Sequence, residues 1–138
     1  MEQLAQLHQF GDIALFILRV GVAAVFMVHG MWKIENGKQM AESMEMPGSG
    51  WFFSALGVAE FFGSLALLSG FLTQIAAAGL AIIMLGAIYL KAFKWNVKFT
   101  AHDKTGWEFD LVMLTSCVAI FILGAGKIAL DNTIFGLF

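Results

Sequence analysis

Four long apolar stretches alternate with short polar segments along the chain: Ile13–Trp32, Trp51–Leu72, Ile75–Leu90 and Phe109–Leu123. A helix crossing a hydrocarbon core of about 30 Å needs roughly 17–25 residues. The first two stretches meet that length as they stand. Lys91 and Lys94 can lay their stems along the bilayer edge, which extends the third to Trp95. The fourth gains Trp107 and Glu108 at its start. No stretch alternates apolar and polar residues with a period of two, the pattern of a membrane strand. Within lipid, a single segment satisfies its own backbone groups only as a helix. The pattern predicts an all-α integral membrane four-transmembrane-helix bundle forming one domain, with spans over about residues 12–33, 51–72, 74–95 and 108–124.

The polar segments define the connections. Loop one covers Glu35–Gly50, and its Pro47-Gly48-Ser49-Gly50 run reads as a turn into the second span. Spans two and three form a hairpin about Gly70 and Thr73. Leu4, Leu7 and Phe10 among polar neighbours predict a short interfacial helix over residues 2–10, and the tail after Gly126 is expected to rest at the interface as well. Met1–Gly11 has no Lys or Arg, so the first apolar stretch reads as a retained span rather than a cleaved signal.

Tryptophan placement supports this division. Trp32 closes the first span, Trp51 opens the second, Trp95 ends the third and Trp107 precedes the fourth. All four fall on one membrane face if each span crosses once, and indole rings favour the headgroup layer. Lys33, Lys38, Lys91, Lys94, Lys98 and Lys104 share that face, whereas Lys127 stands alone on the other. The positive-inside rule then places loops one and three in the cytoplasm and both termini outside.

Composition agrees with lipid as the main solvent. Of 138 residues, 59% are apolar and 13% charged, too few polar side chains to cover a soluble fold. A net charge of −2 without a basic run excludes nucleic acid as a partner class. Cys117 is the only cysteine, so the chain alone carries neither a disulfide nor a dithiol relay.

Charged residues inside the spans are the candidate chemistry. An arginine at the centre of a membrane helix costs roughly 2.5–3.5 kcal/mol, so Arg19 should have a partner. Glu60 is the expected one. At about 1.5 Å per residue from the Trp face, Glu60 lies roughly 13 Å deep and Arg19 about 20 Å. Ser54, Gly57, Glu60 and Ser64 share a small-residue face that permits close helix approach. His29 and Lys33 stack one turn apart on span one, and Glu108 and Asp110 lie at similar depth on span four. A polar cavity is expected, open to the Trp face and lined by His29, Lys33, Glu60, Glu108 and Asp110, with Arg19 at its floor. Purely structural readings stand beside it. Buried ion pairs also serve helix register alone, Lys33, Lys91 and Asp110 also read as interface anchors, and His29 as a satisfied interior histidine.

His102, Asp103, Glu108 and Asp110 match no metal-ligand spacing, and no metal site is expected. His8 and His102 lie outside the spans, leaving only His29 near one, so a two-histidine haem is not indicated. No nucleotide loop, nucleophile elbow or HExxH is present.

Arg19, His29-Gly30 with Lys33, Gly57-x-x-Glu60 and Gly124-x-Gly126-x-x-Ala129-x-Asp131 together resemble the motif series of DoxX-type bacterial membrane proteins, over about Ile13–Asp131. The resemblance implies a four-helix protein of the bacterial inner membrane. It also implies association with quinol-oxidase, thiosulfate:quinone oxidoreductase or oxidative-stress systems. Ala129 departs from the usual serine. The reading that follows is a redox-associated subunit with no covalent cofactor, binding a quinone or other amphipathic small molecule in the polar cavity beside other membrane or redox proteins or further copies of itself. A proton-coupled small-molecule transporter and a non-catalytic membrane scaffold are the alternatives.

Overall fold

A computed structural model describes residues 9–101 and 105–136. Its regular elements are α1 (Gly11–Ser43), α2 (Gly50–Ser69), α3 (Thr73–Tyr89), α4 (Trp107–Leu123) and α5 (Leu130–Phe135). The chain of α3 continues into a π-helical turn over Leu90–Lys94. Among the described residues there is no strand.

Helix α1 is longer than the sequence pattern predicts. Its 33 residues span about 50 Å, well beyond a hydrocarbon core. Asn36 (φ −117°, ψ 22°) leaves helical geometry and kinks it, and the Asn36 side-chain amide donates to the Trp32 carbonyl at 3.0 Å. Residues expected in loop one therefore continue as helix past Trp32, because Glu35–Ser43 contains no strong helix breaker apart from Gly37. The connection shrinks to Met44–Ser49.

Between α2 and α3 the chain reverses in three residues. Gly70 (φ +71°) ends α2 in the left-handed region, and the N–H groups of Gly70 and Phe71 bond to the Leu67 and Ala66 carbonyls, a Schellman closure. Leu72 is also left-handed (φ 49°), a conformation unfavourable for leucine by about 1–2 kcal/mol. It is held from elsewhere in the chain, as described below.

The helices pack most extensively as two pairs, α1 along α2 and α3 along α4. Leu15, Val22 and Phe26 of α1 meet Leu67 of α2, Leu80 and Met84 of α3, and Met113, Cys117 and Ile120 of α4 in one buried core. Large apolar side chains also point outward, including Ile17, Val28, Phe62, Ile75, Ile82 and Ile122. Such a surface suits lipid contact. Among the described residues, three helical segments are long and apolar enough to cross a membrane: Gly11–Ser43, Gly50–Ser69 and Thr73–Lys94. Helix α4, expected as a fourth span, has 17 residues, about 25 Å of helix. The interfacial helix expected over residues 2–10 falls mostly outside the described residues. The tail after Gly126 forms the short α5.

Candidate functional site

Glycine sets the distance between α1 and α2. A Cβ at Gly57 would lie 2.6 Å from the Gly30 carbonyl oxygen, and one at Gly30 would lie 2.8 Å from that of Gly57. The two backbones touch, as small residues at membrane helix interfaces allow. Lys33 stands beside Gly57 and Glu60 beside Gly30, so each charged residue packs over the other helix's glycine. Only about one helical turn separates their levels, and Lys33 Nζ pairs directly with Glu60 Oε1. Glu60 is fully buried and Lys33 largely so.

A second ion pair forms on the other helix pair. Lys91 Nζ lies 2.6 Å from Asp110 Oδ2. The π-helical turn carries Lys91; such turns recur where a helix adjusts its side-chain directions at a site. Lys91 is thus an intramolecular partner and not a simple interface anchor.

Between the two pairs lies a cavity of about 940 Å³ bordered by Lys33, Glu60, Lys91 and Asp110. Phe26, Phe53, Met84 and Met113 supply apolar wall. His29 borders it with its ring centroid 5.5 Å from that of Phe109. Toward the Trp side, Trp95 Nε1 donates to the Met44 carbonyl at 3.0 Å, tying the kinked end of α1 to the end of the π-helical turn.

Arg19 does not pair with Glu60 and does not reach this cavity. It is 1% exposed. Its guanidinium donates to the carbonyls of Leu67 (3.0 Å), Ala125 (2.5 Å), Ile128 (2.9 Å) and Leu68 (3.5 Å). Leu67 and Leu68 end α2, where carbonyls lack intrahelical donors. Arginine's five fixed N–H groups suit several carbonyls at once. Asp131 completes this second cluster. Its carboxylate accepts from the Leu72 N–H (2.7 Å) and the Thr73 N–H (2.9 Å), which caps α3 and holds the left-handed Leu72. The Asp131 N–H donates to the Gly70 carbonyl at 2.8 Å. A Cβ at Gly70 would fall 2.5 Å from Arg19 Nη2, so glycine is required there for space as well as for its positive φ.

Of the sequence-predicted site residues, His29, Lys33, Glu60 and Asp110 come together around the cavity. Glu108 does not border it. It is half-buried in the first turn of α4, where a carboxylate complements the helix dipole. His102 and Asp103, weighed as metal ligands, lie outside the described residues. No group of three metal-ligating side chains occurs among the described ones. From the sequence Lys91 reads as an interface anchor; its pairing with Asp110 and the capping action of Asp131 escaped that reading. Asp131 did stand in the motif series, but the donors to its carboxylate are backbone N–H groups that no side-chain pattern reveals.

The sequence model of the DoxX family matches residues 14–102. Among curated proteins, the chain is 26% identical over 134 residues to a Bacillus subtilis protein named "Putative oxidoreductase CatD", covering 90% of this chain and 89% of that one. It is 27% identical over 143 residues to an uncharacterized membrane protein of Mycobacterium tuberculosis, covering 91% and 84%. No solved structure matches.

Proposed function

The chain belongs to the DoxX family, and on that premise we propose that it is a four-crossing bacterial inner-membrane protein that binds a small amphipathic molecule of the quinone class between its two helix pairs, in the service of membrane redox partners. The observation that carries this reading is the cavity itself. Its volume of about 940 Å³ suits a ring with part of an apolar tail, within the range of small-molecule sites. Its walls are mainly apolar, and its few polar groups converge from facing helix pairs. Ile82 and Gly86, exposed on α3, border it, which gives a lipid-soluble molecule a lateral route in.

His29 and Phe109 would flank the ring, and the Lys33 and Lys91 ammonium groups are the donors nearest a headgroup. Arg19 has no part in this chemistry; it belongs to the scaffold. The redox association draws on the name of the Bacillus relative. A transport role is less well supported. Among the described residues, the packed core and the cluster around Arg19 and Asp131 fill the end of the bundle away from the cavity.

The test is saturable binding of a decyl-tailed benzoquinone, in oxidised and reduced forms, to the full chain in lipid nanodiscs, with empty nanodiscs as the partition control. One molecule per chain is expected, with affinity reduced at least fivefold by His29→Ala. Uptake no greater than in empty nanodiscs for both redox forms would remove the reading.

A further inference from the structure

The two oxygens of Glu60 have different surroundings. Oε1 pairs with Lys33, whereas Oε2 is buried and has no hydrogen-bond partner among the described residues. A buried acceptor without a donor is unfavourable, and more so when it is charged. Glu60 borders the cavity. Lys33 borders the same cavity, and its side chain is 13% exposed against 0% for Glu60. Lysine is held by a flexible four-carbon stem, so it is the member of the pair that shifts to let a donor reach Oε2.

Which headgroup supplies that donor follows from elementary chemistry. A quinone carbonyl offers only lone pairs: it can accept from the Lys33 or Lys91 ammonium but leaves Oε2 without a donor. A phenolic hydroxyl offers an O–H. Charge narrows the choice further. Lys33, Lys91 and Lys94 border the cavity together with Glu45, Glu60 and Asp110, so fixed positive and negative charges balance. A charged headgroup would add an uncompensated charge beside the largely buried Lys33–Glu60 and Lys91–Asp110 pairs; a neutral one would not.

We infer that the cavity selects the reduced form of its ligand, a neutral dihydroxyaromatic with an apolar body, one of whose hydroxyls donates to Glu60 Oε2. This rests on the cavity being the ligand site, as proposed above. A hydrogen bond to a charged acceptor corresponds to a preference of about tenfold or more.

Three probes test it under anaerobic conditions on the full chain in nanodiscs: a decyl-tailed benzoquinone, its hydroquinone, and the di-O-methyl ether of that hydroquinone. The hydroquinone should bind at least tenfold more tightly than either of the others, and Glu60→Gln should shrink that gap to less than threefold. Equal affinity of quinone and hydroquinone, or an ether that binds as well as the hydroquinone, overturns the donor assignment while leaving the cavity as a quinone site. Failure of all three to bind overturns both. The ether comparison uses the unaltered chain, so the outcome stands even where Glu60→Gln does not fold.

Discussion

Arg19 and Asp131 grip the two ends of one three-residue turn. Arg19 donates to the last carbonyls of α2, at Leu67 and Leu68; Asp131 accepts from the first N–H groups of α3, at Leu72 and Thr73. These backbone groups have no intrahelical partners, and Arg19 and Asp131, both buried against the turn, supply them. The arginine also draws in the carbonyls of Ala125 and Ile128, which docks the segment after α4 against the same turn. A deeply buried arginine is thereby accounted for by backbone acceptors.

Replacing Arg19 should consequently damage stability and spare binding. Arg19→Ala strips the donor from several buried acceptors and should lower unfolding stability by roughly 2–4 kcal/mol. Arg19→Lys keeps the charge but not the fork, and should fall between. Unfolding by graded SDS in mixed micelles reads the stability. Arg19→Lys protein that still folds should bind the hydroquinone probe within twofold of the unaltered chain, since the arginine does not touch the cavity.

The glycine contact between α1 and α2 makes a sharper contrast. At Gly57 a methyl group would press on backbone at 2.6 and 2.8 Å, and no rotamer change relieves that. Gly57→Ala should therefore destabilise by about 1–3 kcal/mol and separate Lys33 from Glu60. Gly79 lies within α3 with nothing within 4 Å of its would-be Cβ. Gly79→Ala should be neutral or stabilising by up to about 1 kcal/mol, as helix propensity alone dictates. Paired SDS unfolding curves for the two variants check both signs.

The helices and the polar interior were legible because membrane length and the expense of intramembrane charge leave few alternatives. Burial of Arg19, Glu60 and Asp110 follows from that expense. Partner choice did not follow. The antiparallel Gly30–Gly57 contact places Glu60 about one turn from Lys33 but sets Arg19 level with Leu67, Leu68 and Gly70, so the difference in depth is larger than the arginine side chain can bridge. The carbonyls that satisfy Arg19 are invisible to any side-chain pattern. The helical run past Trp32 was hidden for a related reason: hydropathy marks where lipid ends, and a helix continues as long as its residues permit.

Lys33 and Glu60 should show strong energetic coupling. Lys33→Met leaves a buried carboxylate without its cation, and Glu60→Gln leaves the ammonium without its anion. Each single change should destabilise by roughly 2–4 kcal/mol. The double variant removes both charges and should be more stable than the sum of the singles implies, with a coupling of at least about 1 kcal/mol. Additive losses would show that the two side chains do not interact in the bilayer.

Whether α4 crosses is decided by the sides on which its flanks emerge. Thr100 precedes α4 and Lys127 follows it, and both are exposed. Gln39, beyond the kink in α1, should share a side with Thr100; Gln74, at the start of α3, should share one with Lys127. Cys117 is buried and is the only native cysteine, so Cys117→Ala provides a clean background for Gln39→Cys, Gln74→Cys, Thr100→Cys and Lys127→Cys. In spheroplasts, a membrane-impermeant maleimide should label positions 74 and 127 at once and positions 39 and 100 only after permeabilisation, the outcome that the positive-inside rule expects for the lysine-rich side. Labelling of 100 and 127 from the same side would mean that the 17 residues of α4 fold back without crossing. The reverse pattern at all four positions would keep the four crossings and invert the orientation.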